Sequence, residues 1–584
     1  MEKETLYRYK YWKKCLKDIN YDDYLKLCSI NNENIINDLF YQDLTFGTGG
    51  LRGVMELGSS KLNIYNIYKA TQGLSLYLLY KYKDNINNIS VVVGYDTRNN
   101  SIEFAKISAI VLASNNIKVH LFKDYSPTPL VSFTIRKLKA QAGIMITASH
   151  NPKEYNGYKV YNENAYQITI NEANKIINEI NKVDTFLDFK KHTDINNINL
   201  SLIDYVDEKI SEQFIESNLN CSILKDKKDK NDLKIIYTPL NGTGKNYVIK
   251  ALNKDGFNNL LTVKEQLDPD PNFTTCPKPN PELEEALSLG INYLKEYDGD
   301  LLIATDPDAD RSGVVIKKKN KDIYLLTGNE VGLLLLNFII EYNLNVLRKD
   351  KSYFKNKEVV RSIVSTSLID KICEKYQIKL KTVLTGFKFI GEELFNLEKN
   401  NKLSSFLLGF EESYGYLTNT EVRDKDSINA SILISEMTYF YKKQGIDLSQ
   451  KLNSIYDEYG FYKNILLTHN FLGEDGMLKM KEIMFNLRNR SLKELNNLLK
   501  EEVILKEDYL LSKAINNKNN TFNISLPKSD VLIIKFKNNS RLMIRPSGTE
   551  PKLKCYIEAV SNSLNETNNL ISKYKDLFSL IIKG

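Results

Sequence analysis

At 584 residues the chain has room for about four domains of ordinary size, each with its own core. Hydrophobic residues at 42% and charged residues at 26% describe a soluble globular protein, and the longest apolar stretch, Val331 to Ile340, is too short to span a bilayer. The 80 basic against 73 acidic residues leave a net charge of only +7, which argues against nucleic acid as a partner.

Six scattered cysteines, at 15, 28, 221, 276, 373 and 555, form no Cys-x-x-Cys pair, and only four histidines are present. Reduced thiols, no disulfide framework and no zinc site are expected. The opening Met-Glu-Lys-Glu-Thr-Leu-Tyr carries no signal-peptide core, so a cytoplasmic protein without a membrane partner is expected.

In chain order, residues 4 to 30 read as helix. The loop Thr45-Phe-Gly-Thr-Gly-Gly-Leu-Arg-Gly53 is glycine-rich and ends near Arg52, which lets backbone amides and a guanidinium approach an anion. A helix over 62 to 83, strand 90 to 93, helix 101 to 115, strand 117 to 122 and helix 127 to 138 follow, an alternation that predicts a mainly parallel sheet. The apolar run 142 to 146 then delivers Thr147-Ala-Ser149-His150-Asn-Pro152 to a loop at a strand's carboxyl end, where open α/β sheets hold their chemistry. Ser149 and His150 are sequence neighbours and no Gly-x-Ser-x-Gly elbow is present, so a hydrolase triad is disfavoured. Taken alone, the hydroxyl suits a turn cap as well as a nucleophile. Lys159, on the next predicted strand, suits a surface position, a charge partner for phosphate or a proton carrier. Residues 183 to 200 and 221 to 232 are polar and read as solvated loops bracketing a domain boundary.

A second region opens with strand 233 to 238 and the turn Pro239-Leu-Asn-Gly-Thr-Gly-Lys245. This turn looks like a P-loop but lacks its first glycine and its Ser/Thr, and reads as a strand-to-helix turn. Strand 300 to 305 ends in Asp306-Pro-Asp308-Ala-Asp310-Arg311. Carboxylates at every second position share one face of an extended segment and would suit a hard cation such as Mg²⁺. An EF-hand is excluded by Arg311 and Lys317 where Gly and Glu would stand.

A third region carries strands 359 to 365, 379 to 384 and 405 to 410. It offers Thr385-Gly386-Phe387-Lys388 and Glu411-Glu-Ser413, the latter pair sharing a face if extended and suited to gripping sugar hydroxyls. The last region has helices near 475 to 500, a polar loop at 516 to 522 and strands 531 to 537 and 541 to 545. Arg545-Pro-Ser547-Gly548-Thr549-Glu-Pro-Lys552 follows, a candidate phosphate cradle or a plain hairpin turn.

A serine, a cation loop, a polyol-gripping loop and a phosphate cradle together suit one reaction, moving a phosphoryl group between enzyme and sugar phosphate. Phosphate monoesters need up to ~10²¹-fold acceleration, which calls for a cation and fixed positive groups. In this order the motifs Thr-Ala-Ser-His-Asn-Pro, Asp-Pro-Asp-Ala-Asp-Arg, Gly-Phe-Glu-Glu-Ser and Arg-Pro-Ser-Gly-Thr-Glu-Pro resemble those of the α-D-phosphohexomutase superfamily. Phe46 to Arg52 and Asp268-Pro-Asp-Pro-Asn-Phe273 with Pro279-Asn-Pro-Glu282 resemble its phosphoglucomutase-2 and phosphopentomutase branch.

The resemblance implies an α/β architecture of four domains around a central cleft, the first three with similar mixed α/β sheets and the fourth a smaller α+β domain. The expected bounds are 1–215, 216–326, 327–455 and 456–584. It implies that Ser149 carries the phosphoryl group and that Asp306, Asp308, Asp310 and a phosphoserine oxygen hold Mg²⁺, with a sugar 1,6-bisphosphate as primer. Arg52, His150, Lys159 and Lys388 become candidates for proton transfer, with Lys159 the expected base. Arg311, Thr385, Gly386, Lys388, Glu411 and Ser413 would contact substrate, and Arg545, Ser547, Gly548, Thr549 and Lys552 would hold the idle phosphate. Some members carry histidine where this chain has Phe387.

The implied partner is a small phosphosugar and the implied assembly a monomer or weak homodimer. The implied activity is a phosphosugar mutase, with glucose 1-phosphate and glucose 6-phosphate the first expectation. Phosphopentomutase, phosphomannomutase and glucose 1,6-bisphosphate synthase are the alternatives within the family, a phosphatase is the nearest rival reading, and a non-catalytic sugar-phosphate-binding regulator the remote one.

Overall fold

The computed structural model describes residues 2–47, 49–225, 230–471, 473–547 and 552–583. The chain forms two compact units, Met1–Val331 with Phe387–Gly445, and Gly332–Gly386 with Ile446–Gly584.

The first unit begins with two helices, Lys3–Ile19 and Tyr21–Cys28, where the sequence read as one. Asn20 separates them: it is extended, and its side chain accepts from Asp23 N, an N-cap that restarts the helix. Trp12 stacks edge-on against Phe40 and Phe186, at 5.7 and 5.0 Å between ring centres. Phe186 and Phe189 are buried in this aromatic cluster, so the stretch 183 to 200, largely exposed as its polarity suggested, is pinned to the core by two rings.

The first sheet holds β1 (Gly50–Val54), β2 (Ser90–Tyr95), β3 (Lys118–Leu121), β4 (Ala142–Ile146), β5 (Tyr155–Asn162) and β6 (Ile203–Tyr205), in the order β1-β5-β4-β2-β3-β6. Strands β4, β2, β3 and β6 run parallel, and β5 and β1 extend the sheet antiparallel. Val91, Val92, Val93, Ile144, Met145 and Ile146 are all buried, as expected of parallel strands covered on both faces. The carboxyl ends of β2 and β4 carry the loops of interest.

The second sheet holds β7 (Ile235–Thr238), β8 (Leu260–Thr262), β9 (Leu301–Thr305), β10 (Ser312–Lys317) and β11 (Ile323–Leu326), in the order β11-β10-β9-β7-β8. Its parallel part is β8, β7 and β9. In the stretch 221 to 232, read as solvated, Lys230 is buried with its Nζ 2.7 Å from Asp255 Oδ2; residues 226–229 lie outside the described residues.

Four strands come next. The parallel pair β12 (Glu358–Ser362) and β13 (Lys379–Val383) belongs to the second unit, and the antiparallel pair β14 (Phe406–Glu411) and β15 (Gly415–Leu417) to the first. The second unit also holds β16 (Phe461–Asn470), β17 (Val503–Asp508), β18 (Lys513–Asn516), β19 (Thr521–Asn523), β20 (Leu532–Phe536), β21 (Arg541–Pro546) and β22 (Lys552–Ser561). They form one antiparallel sheet, β16-β22-β21-β20-β17-β18-β19, packed under the helices Gly473–Asn489, Leu492–Leu499 and Leu564–Lys583. Among the described residues no helix is long and apolar enough to cross a membrane.

Candidate active site

Ser149 lies three residues beyond β4, as the apolar run predicted, and is buried. Its φ of +54° is left-handed, a region that a β carbon disfavours. The Oγ donates to Asp306 Oδ2 at 2.7 Å and lies 3.1 Å from His150 Nδ1. Serine and cation loop, 157 residues apart in sequence, therefore meet at one point. Enclosure, and then the guanidinium charges of Arg311 and Arg52, hold the His150 imidazole well below its ordinary value, so it is neutral.

The three aspartates converge by a route the sequence reading did not foresee. The segment is a turn, not an extended strand: Ala309 N donates to Asp306 O at 2.8 Å and Ala309 has φ +53°. Turning the chain, rather than alternating its side chains, brings one oxygen of each carboxylate within 4.8 Å of the others. The turn at 239 to 245 is the strand-to-helix connection expected, and it braces this loop. Thr243 N donates to Pro307 O at 2.8 Å, and a β carbon at Gly242 would fall 2.4 Å from Pro307 Cα, so only glycine fits.

Three buried carboxylates without a counter-charge would repel each other strongly. Burial, reinforced by Asp308 and Asp310, pushes the Asp306 carboxyl well above its ordinary value. Asp308 and Asp310 instead lie below theirs, because nearby lysine charges outweigh the burial. Lys159 Nζ lies 2.6 Å from Asp308 Oδ2 and 3.3 Å from Asp310 Oδ2, and Lys425 Nζ lies 3.0 Å from Asp310 Oδ2. Burial alone would lower both lysines, but the carboxylates win and hold each ammonium charged. Asp308 Oδ1 and Asp310 Oδ1 are buried without a hydrogen bond, the condition of oxygens that a divalent cation would take. The donor set therefore fits a hard cation.

Arg311 pairs with Glu282, from the Asn-Pro-Glu stretch, and Arg52 Nη1 reaches Asn151 Oδ1 at 3.5 Å. The Glu411 to Tyr416 loop is fixed to the cation loop, since Ser312 N donates to Tyr414 O at 3.0 Å. Glu411 ends β14, whereas Ser413 sits in a turn that passes through Tyr414 at φ +62°, so the shared extended face expected of the pair does not form. Lys388 opens the helix Lys388–Lys399, and the Phe387 ring beside it lies 5.5 Å from Lys425 Nζ.

Thr385, Gly386, Arg545, Ser547 and Lys552 belong to the second unit. Ser547 N donates to Lys552 O at 2.7 Å, which closes the hairpin between β21 and β22. Gly548 and Thr549 lie outside the described residues.

The chain matches four successive domain profiles described as phosphoglucomutase/phosphomannomutase, α/β/α domains I, II and III and the C-terminal domain, over residues 43–186, 212–319, 328–459 and 487–567. It belongs to the phosphoglucomutase/phosphomannomutase family. Its relatives include a phosphoglucomutase of Staphylococcus haemolyticus, 37% identical over 92% of this chain and 94% of that one. A phosphoglucomutase of Staphylococcus aureus (strain MRSA252) is 36% identical over 89% of this chain and 90% of its own. The fold is shared with the open form of the Paramecium phosphoglucomutase parafusin (TM-score 0.64, 18% identity, 92% and 95% covered). It is shared too with a phosphoglucomutase/phosphomannomutase family protein of Burkholderia thailandensis (TM-score 0.63, 16% identity, 92% and 98% covered).

Sequence reasoning missed several residues of the cluster. Lys425 and Asp424 come from the run Arg423-Asp-Lys-Asp426, and Asp424 Oδ2 accepts from Tyr161 at 2.7 Å and Gln167 at 2.8 Å. Thr128 holds the cation loop from the other side, donating through Oγ1 to Asp308 Oδ2 at 2.7 Å and through N to Asp308 O at 2.8 Å. The one available signal was position: the charged run Arg423 to Asp426 closes the connection from β15 and stands directly before the helix Ser427–Lys443, most of whose residues are buried.

Proposed function

We propose that this chain is a phosphoglucomutase that interconverts glucose 1-phosphate and glucose 6-phosphate through a phosphoserine at Ser149. The observation that carries this reading is the 2.7 Å bond from Ser149 Oγ to Asp306 Oδ2, a hydroxyl at the rim of a three-carboxylate cluster. Relatives named phosphoglucomutase at 35–37% identity over about nine-tenths of the chain favour glucose among the family's sugars.

In this reading Asp306, Asp308 and Asp310, with a phosphoserine oxygen, hold Mg²⁺. The ion when bound would supply positive charge against the transferring phosphoryl oxygens. The phosphoserine P–O bond breaks as a bond forms to the free sugar hydroxyl, and the resulting 1,6-bisphosphate turns over and returns its other phosphate to Ser149. Arg311, held by Glu282, and Arg52 add fixed positive charge near the serine, where it is worth more than in water. The proton of the attacking sugar hydroxyl is assigned to His150, neutral and ready to accept. The proton for the departing Ser149 Oγ is assigned to Lys159, which its carboxylate partners hold charged and which therefore acts as acid and not as the base expected of it. Glu411, Ser413, Lys388, Thr385 and Gly386 are assigned to the sugar, and Arg545, Ser547, Gly548, Thr549 and Lys552 to the idle phosphate, on their match to the family motifs. The substrate is a free phosphosugar and the compartment the cytoplasm.

The test is a mass measurement. After exposure to glucose 1,6-bisphosphate the peptide containing Ser149 should gain the mass of one phosphoryl group, and Ser149→Ala should neither gain it nor turn over. Turnover should be fastest on glucose 1-phosphate when compared with mannose 1-phosphate and ribose 1-phosphate. A freshly primed, active enzyme without that modification defeats the reading, and preference for ribose 1-phosphate moves it to phosphopentomutase.

A further inference from the structure

Arg98 follows β2 in the loop that opens with Asp96-Thr-Arg98, and its side chain has no exposed surface. Its guanidinium donates to four carbonyls, three in the serine loop and one at the first residue of β5. Nη2 reaches Ser149 O and Asn151 O, both at 2.5 Å, and Nη1 reaches Pro152 O at 2.8 Å and Tyr155 O at 3.2 Å. Nε lies 3.2 Å from Asp96 Oδ2, a charge contact without hydrogen-bond alignment. The Phe273 ring, buried and from the Asp-Pro-Asp-Pro-Asn-Phe stretch, covers the guanidinium at 4.9 Å.

Asp96 closes the other half of a circuit. Its Oδ1 accepts from Arg98 N at 3.0 Å and Ser101 Oγ at 2.7 Å, and its Oδ2 accepts from Thr147 Oγ1 at 2.6 Å. Thr147 Oγ1 in turn accepts from Ser149 N at 2.7 Å. The serine is thus gripped at both backbone ends, amide through Thr147 and Asp96, carbonyl through Arg98, while its hydroxyl is left to face Asp306. That double grip is what a serine at φ +54° requires, since its own backbone preference is to leave that region.

We propose that Arg98, with Asp96 and Thr147 as its relay, is the positioning residue for phosphoryl transfer at Ser149: it holds the serine backbone left-handed so that Oγ stays at the cation cluster. The inference rests on the reading of Ser149 as phosphoryl carrier. A planar fork with five donors can serve four carbonyls at once; a lysine, a point charge with three donors on a flexible stem, cannot reproduce it. Arg98 makes no hydrogen bond to the serine hydroxyl or the carboxylate cluster; its charge acts on Asp308, Asp306 and His150 from a distance. Because Arg98→Lys keeps that charge, the loss expected of the lysine variant reports the loop geometry.

The test uses the full chain with Mg²⁺ and glucose 1,6-bisphosphate. Arg98→Lys and Thr147→Val, the latter close in shape and cutting only the amide arm, are compared with wild type after circular dichroism establishes that they fold. Both should lower kcat by about 100-fold, the scale of a small misplacement of a reacting group. KM should move by less than about threefold, because no ground-state contact to substrate is removed. The rate at which Ser149 acquires a phosphoryl group should fall with kcat, and amide exchange across 149 to 155 should quicken. In Arg98→Ala, added guanidinium at non-denaturing concentration should restore at least a tenth of the lost kcat. A folded Arg98→Lys or Thr147→Val that phosphorylates Ser149 at the wild-type rate overturns the proposal, as does a kcat loss with unchanged loop exchange and no guanidinium rescue. If wild type itself gains no phosphoryl group at Ser149, the functional reading fails instead, and the exchange data still report whether Arg98 holds the loop.

Discussion

Lys425 Nζ lies 3.0 Å from Asp310 Oδ2, so the third carboxylate of the cation loop is bracketed by two ammonium groups, this one and Lys159 at 3.3 Å. Lys425 is also 3.3 Å from Asp424 Oδ1, and the β carbon of any residue but glycine at 415 would collide with its stem, at 2.1 Å from Cδ. A lysine so confined acts from one place. Lys425→Met, which keeps the stem and removes the charge, is expected to lower kcat by at least ~100-fold, the lower end for a positioned proton carrier or charge stabiliser. A coupled assay of glucose 6-phosphate formation reads it, and a kcat within about threefold of wild type would remove Lys425 from the chemistry.

Chelation should abolish turnover, and Mg²⁺ should restore it. The protein should stay folded without the ion, because Lys159 and Lys425 already offset two of the three carboxylates. Binding the ion at about 100 times its Kd would still add about 2.7 kcal/mol to the state that binds it. The thermal midpoint of the first unit should therefore rise with added Mg²⁺ and fall with EDTA. Asp308→Asn should flatten that response, and full activity in excess chelator would contradict the assignment of the three aspartates.

How much of this was legible in the sequence depends on what each residue's position rests on. Ser149 could be placed because an apolar run and a following polar turn are local signals, and β4 ends three residues before it. The aspartates could be recognised as a group, but not their geometry, because the left-handed turn at Ala309 depends on the bracing from Gly242 and Thr243. The roles of Arg98 and Lys425 were invisible. A buried arginine and a buried lysine look, in sequence, like any charged loop residue, and only folding supplies the carbonyls and carboxylates that make their burial tolerable. Phe186 and Lys230 were misread for the same reason: polar neighbours set the local average, while distant partners decide the burial.

Asp426 gives a pH prediction. It caps the helix Ser427–Lys443, its Oδ1 accepting from Ile428 N at 2.9 Å and Asn429 N at 3.0 Å, and burial pushes its carboxyl from 3.8 up to about 7. With the folded value above the unfolded one, the native state holds a proton that the unfolded state has lost between those limits. The stability this group contributes is full below about pH 4 and declines as pH rises to about 7, by up to roughly 4 kcal/mol for three units. Asp426→Asn keeps a good N-cap and removes the titration. Wild type should lose more of the thermal midpoint of its first unit between pH 6 and pH 8 than this variant does. Parallel pH curves would show that Asp426 stays ionised in the fold.

Glu558 in the second unit gives the opposite sign. It is buried on β22, accepts from Arg541 Nε at 2.7 Å and Asn464 Nδ2 at 2.9 Å, and receives both Ser367 Oγ at 2.6 Å and Ser367 N at 2.8 Å. Burial opposes its charge, but Arg541 and then Ser367 and Asn464 outweigh it and hold the carboxyl at about 2, below its ordinary 4.5. Stability from this group is therefore present above about pH 4.5 and lost as pH falls toward 2. Arg541 also donates to Ser365 O at 2.5 Å and Ile363 O at 3.2 Å, so the pair ties the antiparallel sheet to the loop after β12. Glu558→Gln leaves Arg541 buried without its counter-charge, at a cost of about 3–5 kcal/mol. Limited proteolysis at pH 7.5 should cut the second unit of this variant faster than that of wild type, and the difference should shrink toward pH 3. Equal cleavage at both pH values would mean the contact contributes nothing to the fold of that unit.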